Sequence, residues 1–217
     1  MSQIDQPLIR HRVPLTLTLI GALLAGGLAW GAVAAPPDGI KVGQPAPPFA
    51  VADTAGKTWN LADLKGKTVI LEWTNDGCPY VRKHYGSGNM QALQREATAA
   101  DAVWLSVISS APGTQGHVTP AEADRLTAEH KAAPTAVLLD PAGTLGRAYG
   151  AKTTPHMYVI DATGTLVYMG GIDDRPTTDP ADIPGARNYI RQAIADLDAG
   201  RPLADPVTRP YGCSVKY

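Results

Sequence analysis

Cys78 has the surroundings that best fit chemistry in this sequence. It follows the apolar segment 68–73 and the turn Asn75-Asp76-Gly77, and it directly precedes Pro79, a residue type favoured at the first position of a helix. Cys78 is therefore predicted at the N-cap of that helix. Unpaired backbone amides and the positive end of the helix dipole favour a thiolate there, so we expect its pKa to lie below the free value of about 8.5.

Basic residues follow Cys78 closely. Arg82, Lys83 and His84 occupy the first turn and a half of the predicted helix, where cations reduce helix stability. Cations that destabilise the start of a helix indicate a functional reason for their presence. Here they would lower the pKa of the Cys78 thiol, although the negative charge of Asp76 would raise it. The competing interpretation is an inert buried cysteine followed by an ordinary solvated basic turn.

A targeting segment precedes the domain. Arg10-His11-Arg12 is followed by an uncharged run from Val13 to Ala35 that contains the A-x-A pattern Ala32-Val33-Ala34, which is typical of a secretory signal. Cleavage after Ala34 of the 217-residue chain leaves 183 residues. The alternative is an uncleaved membrane anchor at 13–35, because about 20 apolar residues span a bilayer. In both cases the domain is predicted to be exported, with the periplasm as the expected compartment.

The second cysteine, Cys213, lies in a tail of residues 201–217 that three prolines keep from being helical. Thirteen residues beyond Gly200, extended at about 3.1 Å each, could reach roughly 40 Å, whereas a domain of this size has a radius of gyration of about 16 Å. Cys213 could therefore resolve an oxidised Cys78, form a structural disulfide with it, or remain idle.

Composition excludes several other classes of protein. The chain carries 19 Lys+Arg and 20 Asp+Glu, a formal net charge of −1, without a block of like charge, so nothing in it recruits nucleic acid. Glycine and proline are spread without a period. Two cysteines in a chain that can bury a sizeable core do not make a disulfide scaffold, so their presence needs a chemical explanation.

The chain predicts an α/β domain. Segments 68–73, 103–108 and 135–139 are rich in apolar and β-branched residues, as strands covered on both faces are, and helical stretches separate them. The second of these helices begins with a capping box, formed by Thr119 and Glu122 around Pro120. The alternation predicts a βαβ sheet.

Hairpins flank these strands. Segments 49–51 and 58–61 predict an N-terminal β-hairpin, and 157–160 with 166–169 predict an antiparallel hairpin that makes the sheet mixed. Residues 186–197 carry apolar side chains at spacings of three and four, which predicts a last helix packed on the sheet.

The order of strand, turn, Cys-Pro and helix resembles the thioredoxin superfamily, because Cys78-Pro79-Tyr80-Val81 stands where thioredoxins carry Cys-x-x-Cys. Val81 takes the place of the second cysteine, so a resolving thiol must come from elsewhere. Thr154-Pro155 matches the position of the family's cis-proline, which lies beside the reactive cysteine. The resemblance implies a thioredoxin-like three-layer fold with a mixed central sheet and an N-terminal β-hairpin.

The similarity is closer still to the peroxiredoxin-like redoxins, the thiol-specific antioxidant and alkyl-hydroperoxide-reductase-type proteins. It spans about residues 41–217 and rests on five segments: Val42–Pro47, Gly77–Val81, Thr154–His156, Gly171–Asp174 and Gly212–Lys216. True peroxiredoxins carry Pro-x-x-x-Thr-x-x-Cys at the peroxide site. Here Leu71 replaces the proline, and Thr74 stands four residues before Cys78 instead of three.

The resemblance implies a thiol-dependent oxidoreductase in a redoxin domain at 35–200, with a signal peptide at 1–34 and the tail at 201–217. Cys78 would attack a hydroperoxide or a protein disulfide, Cys213 would resolve the product, and an external thiol reductant would regenerate the dithiol. The residues expected to bind substrate or activate the thiol are Thr74, Pro79, Arg82, Thr154 and Pro155.

No cofactor and no metal is expected, and His84 and His156 are interpreted as structural or solvated. The alternative function is a non-enzymatic module. In it, Cys78 and Cys213 form a stable disulfide, and the surface around Pro155 binds another exported protein.

We predict that the mature protein begins at Ala35 and is soluble in the export compartment, because Pro36 disfavours cleavage after Ala35. The intact mass of the exported protein and its distribution after a high-salt wash measure this. A chain that keeps Met1 and stays with the membranes would instead identify 13–35 as an anchor.

Overall fold

The computed structural model describes Met1 and residues 39–217 of the chain. The predicted signal peptide at 1–34 lies, apart from Met1, outside the described residues, and so does the alternative anchor at 13–35. None of the helices in the described part is long and apolar enough to cross a bilayer.

The strands of the described residues are β1 (Ala50–Ala52), β2 (Thr58–Asn60), β3 (Val69–Trp73), β4 (Val103–Ile108), β5 (Ala136–Leu139), β6 (Thr153–Thr154), β7 (His156–Ile160), β8 (Leu166–Gly170) and β9 (Cys213–Ser214). Five of them form the central sheet, in the order β5-β4-β3-β7-β8. Strand β3 pairs parallel with β4 and antiparallel with β7, and β1 and β2 form the N-terminal hairpin. The predicted thioredoxin-like fold with a mixed sheet is therefore confirmed.

Five α-helices connect and cover these strands. They are α1 (Pro79–Gly86), α2 (Asn89–Ala99), α3 (Pro120–Glu129), α4 (Thr144–Ala148) and α5 (Tyr189–Asp198). The helical stretch between β3 and β4 is divided into α1 and α2 at Gly88, whose φ of 78° requires a glycine-like backbone. The predicted capping box of α3 is present, with Thr119 and Glu122 each bonding the other's backbone amide.

The last helix begins later than the apolar spacing predicts. Asn188 caps α5 by accepting a hydrogen bond from the Arg191 amide, and Ala186 lies before the helix at the end of a 3-10 turn, Pro180–Gly185. The helix therefore begins where Asn188 caps it, although Ala186 continues the apolar spacing in the sequence.

Both faces of the sheet carry an apolar core. On one face Trp73 packs among Tyr149 and Tyr158, with ring centroids 5.0–5.7 Å apart. The other face buries a carboxylate, Glu72, which accepts hydrogen bonds from four side chains: Tyr85, Gln94, Trp104 and Ser106. Burial raises the pKa of Glu72, while these four donors act against the rise.

We expect Thr119→Ala to lower the free energy of unfolding by about 1 kcal/mol, because it leaves the first turn of α3 with an unpaired amide. Urea unfolding measures the loss. Thr127→Ala in the same helix is the control, since its hydroxyl bonds the Ala123 carbonyl, a contact that adds little to helix stability. Equal losses in the two variants would contradict a specific capping role.

Candidate active site

Cys78 lies at the junction of β3 and α1. It is the N-cap residue of α1, with an extended backbone, and Pro79 occupies the first helical position as predicted. Its side chain is fully buried, and Sγ donates a hydrogen bond to the carbonyl oxygen of Thr154 at 3.1 Å. The Thr154-Pro155 peptide bond is cis, which confirms what the resemblance implied.

The C-terminal residues bring the second thiol to the same place. Strand β9 pairs antiparallel with β6, so that Cys213 lies opposite Thr154 in the register. Gly212 comes so close that a Cβ there would overlap the Thr154 carbonyl, which only glycine avoids. Both cysteines are free thiols, with no bond between them.

Cys78 is set up to ionise. Burial is the largest single influence and raises the pKa of Cys78. It is outweighed by hydrogen bonding to the sulfur from several donors together: the Cys213 thiol, the Val81 and Cys213 amides and the Thr154 hydroxyl. The pKa of Cys78 is therefore below its ordinary value, in the direction that the sequence predicts.

Cys213 is affected in the opposite sense. Partial burial, its hydrogen bond to Cys78 and the negative charge that Cys78 acquires raise its pKa to about 11, while Lys216 acts weakly against them. While Cys78 is ionised, the remaining proton of the pair therefore stays with Cys213.

The basic residues after Cys78 bond to backbone carbonyl groups. Arg82 is largely exposed and its Nε donates to the Asp76 carbonyl at 2.8 Å, while the buried Lys83 donates to the Arg175 carbonyl at 2.7 Å. Neither cation is among the main causes of the lowered pKa of Cys78. Their predicted part in lowering it therefore stays a prediction.

Thr74 also lies apart from the thiols. It borders a narrow, mostly apolar cleft of about 60 Å³ that it shares with Val81, Tyr85 and His130, and Cys78 does not line this cleft. Thr74 donates its amide to the Val107 carbonyl at 3.0 Å, as part of the connection between neighbouring strands. The structure thus brings together Cys78, Pro79, Thr154, Pro155 and Cys213, and leaves Thr74 and Arg82 outside that group.

The two histidines near the thiols are buried and neutral. Burial lowers the pKa of His84 to about 3, and it lowers that of His156 to the same range. His156 Nδ1 accepts from the Lys152 amide at 3.2 Å, so the ring is oriented by the backbone next to Pro155. Both histidines therefore have structural hydrogen-bonding roles here.

The residues that hold Cys213 in place were not among the predicted site residues. The segment 206–217, called the C-terminal strap below, runs along β8, past α1 and along β6. Tyr211 of the strap contacts His84 of α1 and Asp173 after β8. In the sequence, the only signal is that Tyr211 stands two residues before a cysteine, which does not reveal its partners.

The fold and the two facing thiols define a thioredoxin-like oxidoreductase. Residues 42–169 match the model of the AhpC/TSA family, and the chain belongs to that family.

Known proteins resemble the chain over different lengths. The thioredoxin-like protein YneN of Bacillus subtilis is 26% identical over 147 residues, covering 67% of this chain and 81% of that protein. The thiol-disulfide oxidoreductase ResA of the same organism is 39% identical over 74 residues, 34% of this chain and 40% of ResA. An uncharacterized conserved protein of Geobacillus kaustophilus has a solved structure with a TM-score of 0.71 at 25% identity, covering 82% of this chain and 92% of that one.

We predict that the reduced protein titrates in two steps, with Cys78 below its ordinary pKa and Cys213 at about 11. In Cys213→Ala the pKa of Cys78 should rise, because the thiol donor is lost. In Cys78→Ala the pKa of Cys213 should fall below about 11, because a hydrogen bond and a nearby negative charge are removed. Thiolate ultraviolet absorbance against pH measures each step. A Cys78 midpoint at or above about 8.5 in the wild type would contradict the activated thiol.

Proposed function

We propose that the protein is an exported thiol oxidoreductase in which Cys78 is the nucleophile and Cys213 the resolving thiol. One observation carries the proposal: two free thiols lie next to Thr154 at the N-terminus of α1, and the pKa of Cys78 is lowered while that of Cys213 is raised. The chain's resemblance to the thiol-disulfide oxidoreductase ResA and the thioredoxin-like YneN supports a redox reaction at this pair.

The first step uses the difference in acidity between the thiols. The Cys78 thiolate attacks one sulfur of a substrate disulfide, a Cys78–substrate disulfide forms, the substrate S–S bond breaks, and the second substrate sulfur leaves as a thiolate. With a hydroperoxide, Cys78 instead takes the terminal oxygen, the O–O bond breaks, and the alcohol leaves after protonation while Cys78 becomes a sulfenic acid.

The second step depends on the first. Once Cys78 is bonded to substrate or oxygen, it carries no negative charge and no longer accepts from Cys213, so two of the causes that raise the pKa of Cys213 disappear. Cys213 can then lose its proton and attack Cys78 Sγ, forming the internal disulfide and expelling the substrate thiolate, or water from the sulfenic acid. Two electrons have then passed from the dithiol to the substrate.

Regeneration requires an external dithiol reductant that returns two electrons and two protons. Such a reductant attacks one sulfur of the internal disulfide, and the sulfur with the lower pKa is the better leaving group. The lowered pKa of Cys78 therefore favours attack at Cys213, the more exposed of the two residues.

Substrate has an approach beside the strap. A groove of about 540 Å³ lies along the strap, and its lining includes Tyr80, Thr153 and Gly212, each next in sequence to a site residue. Cys78 itself has no exposed surface in this arrangement, so reaction requires the strap to shift at Gly212-Cys213. A small hydroperoxide needs less movement than a protein disulfide does.

We predict that oxidation of the wild type yields one internal Cys78–Cys213 disulfide that a dithiol reductant reverses. Cys213→Ser should stop after one turnover, with Cys78 trapped as a sulfenic acid or a mixed disulfide, and Cys78→Ser should not react at all. Peptide mapping by mass spectrometry identifies each species, with hydrogen peroxide and glutathione disulfide as separate oxidants.

The variants Cys78→Ser and Cys213→Ser also distinguish a catalytic cysteine pair from a structural disulfide. A structural disulfide predicts that both variants lose several kcal/mol of stability equally, and that the isolated wild type is oxidised and resists reduction. Its reduction potential would lie below about −300 mV, whereas a catalytic pair lies above it. Finding no Cys78–Cys213 bond at any oxidant level would exclude both accounts of Cys213.

A further inference from the structure

A buried hydrogen-bonded chain joins α1 to the C-terminal strap. Its members are Asn89, His84, Tyr211 and Asp173, which come from the start of α2, from α1, from the strap and from the segment after β8. His84 and Asp173 are 0% and 2% exposed. Tyr211 thus connects the strap to buried groups of α1 and of the segment after β8.

The direction of each hydrogen bond in this chain is fixed. The Asn89 amide nitrogen can only donate, so His84 Nδ1, at 2.9 Å, accepts. Because burial keeps His84 neutral, with a pKa of about 3, its proton is on Nε2, which donates to the Tyr211 hydroxyl oxygen at 3.2 Å. The Tyr211 hydroxyl then donates to Asp173 Oδ1. Tyr211 therefore has one donor and one acceptor, both placed by the fold.

Other contacts hold the Tyr211 ring and its partners. The ring packs edge-on against Tyr80 with centroids 5.8 Å apart, and Tyr80 lies two residues after Cys78. The Arg175 amide donates to Asp173 Oδ1 at 2.9 Å and fixes the carboxylate. Asp173 Oδ2 is buried without a hydrogen-bond partner in the described part of the chain and lies 3.9 Å from His84 Nε2. Within the described residues, Tyr211 is thus the only side chain that donates a hydrogen bond to this carboxylate.

We propose that Tyr211, held by His84 and Asp173, is the positioning residue that places Cys213 against Cys78. The inference rests on the proposed function, since it concerns how readily the internal disulfide forms. Only Gly212 separates Tyr211 from Cys213, so a displacement of the hydroxyl moves the thiol with it. The Tyr211 contacts and the β6–β9 pairing fix the strap on the two sides of Gly212.

The test is Tyr211→Phe, which removes the hydroxyl and keeps the ring. In glutathione redox buffers the equilibrium constant for the internal disulfide should fall about tenfold, the effect of losing about 1.4 kcal/mol, because a hydrogen bond to a carboxylate holds the strap in place. Alkylation of Cys78 by iodoacetamide in the Cys213→Ser background should become faster when Tyr211→Phe is added, since the strap then covers the sulfur less.

The control is Tyr149→Phe, which also removes one buried hydroxyl, bonded to the Pro47 carbonyl at 2.8 Å, but outside the strap. It should lower stability and leave both readouts unchanged. Asp173→Asn keeps the shape of the acceptor and removes its charge, so it should shift both readouts in the same direction as Tyr211→Phe by a smaller factor. This variant carries the test if Tyr211→Phe does not fold.

The outcomes separate this inference from the proposed function. If the wild type forms the internal disulfide and neither Tyr211→Phe nor Asp173→Asn changes its equilibrium constant, the positioning role is overturned and the function stands. If the constant falls to the same extent in Tyr149→Phe, the effect is general destabilisation and the positioning role is overturned. If the wild type forms no internal disulfide, the proposed function fails, and the inference fails with it.

Discussion

The backbone of Thr154 is the constraint on which the active site depends. Its carbonyl oxygen accepts a hydrogen bond from the Cys78 thiol at 3.1 Å, and in the β6–β9 pair Thr154 lies opposite Cys213. One residue therefore contacts both cysteines. Gly212 allows the approach because any side chain there would collide with that carbonyl. The cysteines stand near opposite ends of the domain sequence, and their meeting costs chain entropy that only the completed fold can offset.

Activation of Cys78 follows from hydrogen bonds in a buried site and does not require a nearby cation. Burial removes water from the thiolate, which is unfavourable. Burial also strengthens the hydrogen bonds that the remaining donors make to the sulfur, because the local dielectric is low. The donors are the Cys213 thiol, the amides of Val81 and Cys213, and the Thr154 hydroxyl. Since two of them belong to Cys213, the strap acts on Cys78 before any bond between the sulfurs forms.

The sequence predicts the fold well because the signals for its elements are local. The runs at 68–73 and 103–108, the Thr119 capping box and the two hairpins each depend on neighbouring residues, and each is present in the structure. The apolar spacing predicts a start of α5 at residue 186, which is too early, because Asn188 caps the helix and makes Tyr189 its first residue.

The candidate site was predictable only in part. Cys78, Pro79 and Thr154-Pro155 are recognisable because they stand in a motif that fixes their place in the fold. The direction of a long side chain is set by its partners in the fold, so the closeness of Arg82 to Cys78 in sequence does not reveal that its Nε donates to the Asp76 carbonyl. Tyr211 illustrates the opposite error. Its two partners, His84 and Asp173, are far from it in sequence, so no spacing could reveal them.

The difference in acidity between the two thiols sets the order in which they would react. While Cys78 is a thiolate, its charge and its hydrogen bond keep the proton on Cys213 and keep that sulfur a poor nucleophile. In the proposed reaction, consumption of Cys78 removes both effects, so Cys213 becomes reactive only after Cys78 has reacted. A thioredoxin motif achieves proximity within one turn of helix. Here Val81 excludes that route, and a strap that contacts Thr154 and Asp173 brings Cys213 to the same site from the C-terminal part of the chain.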